Sequence, residues 1–277
     1  MLGKLLKYEL KATSRILFPC YIGLLGMTVL FRVFSVFELH GQLQRLQEIF
    51  TVFAISVFVM LLFATFFIGF IVMLSRFSKN IYGDEGYLMN TLPVSPAQNI
   101  MAKTLCSAII TIVSLLVCAL TGFIFFFGDY LPEVGESLSR VWFEFMTEIL
   151  PFLTTMNRLT IVVIFVEVLV IMLTSLLVSP LMMYTCISLG QKMPRHKNMG
   201  AFASYLAISF ALQMFSSFTF FVFGNLVDLN AFQAFTYAQP ALFTALLFGI
   251  LLATELVLGA IYFFVTNALL TRSLNLE

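Results

Sequence analysis

Apolar residues along this chain gather into six long runs, Ile16–Phe37, Ile49–Leu74, Ile100–Phe127, Thr160–Ser188, Ala201–Val227 and Ala241–Leu270. Each meets or exceeds the roughly 20 residues that a helix needs to cross a bilayer. Polar segments interrupt this pattern informatively in three places. Ahead of the first run, MLGKLLKYELKATSR sets Lys4, Lys7 and Lys11 on one helical face and Leu2, Leu6 and Leu10 on another. That spacing predicts an amphipathic helix over residues 1–15, lying in the membrane interface. Between the second and third runs comes DEGYLMNTLPVSPAQNIMAK, Asp84–Lys103. Asp84 and Glu85 suit a helix N-terminus, Tyr87, Leu88 and Leu92 form its apolar face, and Pro93 stops it. Ser95 then reads as an N-cap, with Pro96 at the first helical position and Gln98 completing a capping box. The longest connection, Gly128–Leu159, holds Asp129, Glu133, Glu136, Glu144 and Glu148 against Arg140 and Arg158. Its Val141–Ile149 portion predicts a short interfacial helix bearing Trp142, the single tryptophan.

Composition agrees with a membrane protein: 61% of the 277 residues are hydrophobic and 10% charged, well outside the range of soluble domains. The first apolar run reads as a retained span rather than a cleaved signal, since more membrane follows it. A net charge of +1 conceals a strong asymmetry. With a cytoplasmic N-terminus, the inner side carries Lys4, Lys7, Lys11, Arg15, Arg76, Lys79, Lys103, Lys192, Arg195, Lys197 and Arg272; the outer side carries Arg45, Arg140 and Arg158. The positive-inside rule therefore places both termini in the cytoplasm, residues 76–99 inside and residues 128–159 outside. No internal repeat is visible, and the expected architecture is one all-α, six-span bundle over residues 1–277. Pro180 should kink the fourth span, and Pro240 suits the start of the sixth.

Candidate chemistry is sparse. Cys20, Cys106, Cys118 and Cys186 lie in or beside apolar runs without metal-ligand spacing, and read as packing residues. His40 and His196, the two histidines, occupy different loops, so neither a histidine metal site nor a Ser-His pair is expected. There is no HExxH, no pair of membrane-depth aspartates and no GxxxxGK[ST] phosphate loop. An intramembrane enzyme is disfavoured; no catalytic residue, cofactor or metal is expected, and no nucleic-acid partner.

Three ionisable residues at membrane depth need a reason for being there. Arg32 lies roughly 8 Å inward from the outer end of span one, and Glu167 roughly 10 Å inward from that of span four. Their matching depths predict a pair, against the bland alternative that Arg32 snorkels to the headgroups. Glu255, roughly 21 Å down span six, is expected to face inward. The run Phe215, Phe218, Phe220, Phe221 and Phe223 is either ordinary packing surface or part of a greasy lateral cleft.

A basic N-terminal helix, six spans with both ends inside, and a short polar helix between spans two and three form a known pattern. Together with Thr91-Leu92-Pro93-Val94-Ser95, followed by Ile100 and Lys103, they resemble the permease subunits of ABC-2 type ABC transporters, whose first cytoplasmic loop often carries an "LPVS…K" segment. The resemblance implies a half-transporter in the cell membrane, a bacterial plasma membrane, paired with a second permease as a homodimer or related heterodimer. It also implies two copies of a separate ATPase, gripping the loop through Asp84, Glu85, Tyr87, Leu88, Leu92 and Pro93. The short Asp228–Pro240 connection favours export of an amphipathic peptide, antibiotic or lipid-like molecule over a polysaccharide. A proton-coupled carrier using Glu167 and Glu255 is the alternative.

Overall fold

The computed structural model describes residues 2–35, 42–83, 94–126, 131–149, 158–193, 196–226 and 238–273. The regular elements among them are all helical. They are α1 (Leu2–Ser35), α2 (Gln42–Tyr82), α3 (Pro96–Phe126), α4 (Leu131–Glu144), a π-helical turn (Phe145–Ile149), α5 (Arg158–Gly190), α6 (Lys197–Leu226) and α7 (Pro240–Ser273). All but α4 and the π turn are long and apolar enough to cross a membrane, giving six candidate spans. The chain is a multi-pass membrane protein by that measure.

Where the helices differ from the apolar runs, they outlast them. Residues 2–15 are helical but do not form a separate element, because α1 continues unbroken from Leu2 through Pro19 to Ser35. The reason is visible in which face is buried. Glu9, Thr13, Leu17, Leu24, Thr28 and Phe31 are all buried, at spacings of three, four or seven, so one stripe runs the length of the helix. Lys4, Lys7 and Lys11 stay exposed. At the start of α3 the expected N-cap is present: the Gln98 N–H donates to Ser95 Oγ at 3.3 Å, so Ser95 caps a helix opened by Pro96. The interfacial segment expected at Val141–Ile149 begins earlier, at Leu131, and its last turn is π-helical. Trp142 is exposed there and stacks on Phe145, ring centroids 5.7 Å apart. α5 passes through Pro180 without interruption.

By contact the chain divides into two compact units, Met1–Lys79 with Met101–Phe145, and Asn80–Ile100 with Met146–Glu277. In the first, α1, α2 and α3 share a core. Phe125 of α3 is sandwiched between Phe31 of α1 and Phe58 of α2, both centroid separations being 4.2 Å, and Leu24 and Ala54 complete the cluster. A second cluster joins Leu17 of α1 to Cys106 and Ile110 of α3, with Leu6, Leu10 and Tyr21 around it. The hydroxyls of Tyr21 and Ser114 lie 2.6 Å apart. Contacts thus advance together along α1 and α3, which run parallel, while α2 runs antiparallel to them, Gly69 facing Leu17 and Arg76 reaching Glu9.

In the second unit α5 packs against both α6 and α7. Along α5 and α7 the facing pairs are Glu167 with Gly249, Thr174 with Glu255, Val178 with Gly259 and Thr185 with Thr266. These advance in the same direction on both helices, so this seam is parallel too. Gly259 lets the helices approach: a Cβ there would lie 2.7 Å from Val178 Cγ2, and a β-branched valine has little rotamer freedom with which to retreat. Gly259→Ala should cost about 1–3 kcal/mol through overpacking, measured as a fall in thermal unfolding temperature in detergent. Adding Val178→Ala should recover part of the loss; failure to recover any would show that this contact does not set the helix separation.

Candidate functional site

The most developed polar cluster lies where α1, α2 and α3 meet near the root of the 83–95 segment. Glu9 is at its centre. Its Oε2 accepts from Arg76 Nη2 at 2.9 Å and from Arg76 Nε at 3.3 Å, and its Oε1 accepts from Lys103 Nζ at 2.5 Å. One carboxylate therefore holds two cations, one from each helix flanking the segment. The Lys103 side chain is only 4% exposed, while that of Arg76 is 22% exposed. An ammonium that far from water requires a close counter-charge, whereas the guanidinium retains a route to solvent. The neighbouring buried hydroxyls bond within their own helices: Thr13 donates to the Glu9 carbonyl at 2.9 Å, and Ser107 to that of Thr104 at 2.7 Å.

The α5–α7 seam forms a second polar line. Thr174 Oγ1 donates to Glu255 Oε2 at 2.7 Å, so Glu255 faces α5 and a partner within the unit. Further along, the Thr185 and Thr266 hydroxyls lie 2.9 Å apart. Toward the N-terminal ends of both helices Glu167 Oε2 is buried without a hydrogen-bond partner among the described residues. Arg32 is half-buried on α1 in the first unit. Arg32 and Glu167, expected to pair, belong to different units.

The coupling set Asp84, Glu85, Tyr87, Leu88, Leu92 and Pro93, like His40, lies outside the described residues. On α6, Phe215, Phe218 and Phe221 are all exposed and present one broad aromatic face. All four cysteines are free, two of them buried. Among the described residues no three His, Cys, Asp or Glu side chains come together as a metal site.

Sequence reasoning counted Arg76 only as a marker of orientation and Lys103 as that and as the lysine of the LPVS…K resemblance, and it missed Glu9 altogether. A signal was present. Glu9 lies four residues before Thr13 and eight before Leu17, on the stripe that becomes the buried face of the first span, and an acid on such a stripe demands a partner. No protein-family model, curated protein or solved structure matches this chain.

Proposed function

We propose that this chain is the transmembrane permease subunit of an ATP-driven exporter of the ABC-2 type. In this reading it pairs with a second permease, identical or related, and is powered by two copies of a separate ATPase. Both termini and the Asp84–Pro93 segment face the cytoplasm, and the cargo is an amphipathic peptide, antibiotic or lipid-like molecule. The observation that carries the reading is the Glu9 clamp. Arg76 precedes the proposed docking segment and Lys103 follows it, and both are bound to the same carboxylate. A push on the segment would reach α2 and α3 together and pass through Glu9 to α1. A loop that served only as a tether would have no need of that rigidity at its root. The six candidate spans and the basic distribution described above are in keeping with it.

The test is co-purification. The tagged chain, solubilised mildly from its native host, should bring down a soluble ATP-binding protein in stoichiometric amount. The double substitution Leu88→Asp and Leu92→Asp should abolish that association while membrane insertion and yield stay normal. Undiminished recovery of the ATPase with the double variant would refute the docking assignment.

One observation favours a second reading, a proton-coupled carrier: Glu167 and Glu255 both fall on the α5–α7 seam, with Thr174 beside Glu255. Transport by the purified chain in vesicles without any ATPase would establish that reading and displace the first.

A further inference from the structure

The N-terminal half of the α5–α7 seam opens into a groove of about 300 Å³, at the small end of the range for small-molecule sites. One wall is a ladder of small residues on α7, Ala245, Gly249 and Ala253, at four-residue spacing. Leu246 and Ile250 of the same helix add branched aliphatic surface. Among the described residues the only ionisable group in the lining is Glu167, reaching across from α5. Gly249 leaves space for its carboxyl: a Cβ at that position would stand 3.4 Å from Glu167 Oε1, and any larger side chain would extend further into the same space.

This groove has an unfilled requirement. Buried acceptors in proteins almost always find a donor, yet Glu167 Oε2 receives none from the described residues. Elsewhere on the seam the protein supplies one, as Thr174 does for Glu255. The oxygen beside Gly249 in the groove wall is Oε1, so a ligand in the groove meets the carboxylate there and supplies the charge compensation that it lacks. The missing partner is a donor, and a cationic one matches an acidic group with no counter-charge among the described residues of its lining. A divalent metal ion is a poor match, because hard cations take six or more oxygen ligands and the described residues of this lining offer one carboxyl. The rest of the lining is aliphatic, which suits a hydrocarbon tail.

We propose that the Glu167 groove is a binding site for a protonated primary amine carrying a linear alkyl tail, the ammonium on the Glu167 carboxyl and the tail along Ala245, Gly249 and Ala253. An N–H donor is part of the specification, so a quaternary ammonium would satisfy the charge without the hydrogen bond. The site does not depend on the chain working with an ATPase, and it is tested without one.

The experiment uses the full chain in lipid nanodiscs and a long-chain primary amine with a photoactivatable diazirine in its tail, beside the matching alcohol. After irradiation, labelled residues are mapped by peptide mass spectrometry. The amine should label the 242–253 segment saturably, with labelling competed by excess dodecylamine and not by dodecanol. Glu167→Gln should weaken amine binding on the order of tenfold to a hundredfold, the value of one charge-assisted hydrogen bond. Glu136→Gln, at an exposed carboxylate of α4, should leave it unchanged. Equal labelling by amine and alcohol, or labelling insensitive to Glu167→Gln, would overturn the proposal and mark the groove as lipid-facing surface. Should Glu167→Gln fail to fold, Gly249→Leu provides the same decision, since the added side chain fills the space beside the carboxyl; undiminished labelling there would also overturn the site.

Discussion

Glu9→Ala should destabilise the protein by about 3–5 kcal/mol, the largest loss expected from any single charged residue described. The reason is asymmetric. Removing the carboxylate takes little packing away, but it strips Lys103, 4% exposed, of the anion that offsets its desolvation. Arg76, with its route to solvent, should contribute less to the loss. Two controls follow from the same geometry. Lys103→Met leaves Glu9 with Arg76 and should cost less than Glu9→Ala. Glu9→Gln combined with Lys103→Met removes the buried pair together and should recover much of the stability, because apolar replacement of a whole buried ion pair is often neutral. Thermal unfolding in detergent distinguishes these cases. A loss below about 1 kcal/mol for Glu9→Ala, the size of an exposed ion pair, would mean that the clamp does not hold the helices.

Gly190→Val should prevent the α5–α6 hairpin from forming as described. α5 ends at Gly190, and the turn is closed by donation from Met193 N–H to the Gly190 carbonyl at 3.0 Å. A Cβ on Gly190 would fall on the backbone nitrogen of Ala201, and one on Gly200 would lie 2.9 Å from the Gly190 carbonyl oxygen. Here the obstacle is main chain, which cannot rotate aside as the Val178 methyl group can be trimmed away. Overpacking of this kind commonly costs 1–3 kcal/mol and occasionally more; with backbone as the obstacle, about 3 kcal/mol or above is expected. The readout is loss of monodisperse protein on size exclusion, with the Gly200→Val variant behaving similarly. A Gly190→Val protein that elutes and unfolds like the parent would show that the two helix ends are not in contact.

The contrast between these two sites explains how much the sequence made legible. Span number was readable because hydrocarbon thickness imposes a length on each run independently of its neighbours. The Ser95 cap was readable because N-capping is local chemistry spanning three residues. The ends of α1 and α2 were not: hydropathy reports where hydrocarbon would be tolerated, whereas the helices continue through Glu9 and Arg76, where a tertiary ion pair satisfies the charges. Nor was the parallel pairing of α1 with α3 or α5 with α7 visible, since residues such as Tyr21 and Ser114 meet only after the chain has crossed back. Glu167 stood out as a membrane-depth acid, but the glycine that makes room for it carries no chemistry to announce the match. The docking segment Asp84–Pro93 remains an expectation resting on its local pattern and on the family resemblance.

The ion cluster also has a consequence for how the protein is made. Glu9 meets Arg76 across 67 positions and Lys103 across 94. At synthesis rates of about 5–20 residues per second, its second cation leaves the ribosome on the order of ten seconds after it does. Until Arg76 emerges, α1 carries an acid on the face destined for burial with neither of its two partners made, and until Lys103 follows it has only one of them. The first helix therefore cannot settle as an independent stage of assembly. It must be sheltered at the insertion machinery, or held at the water boundary, until α3 arrives, so release of the nascent chain should be gated by the third span and not by the first.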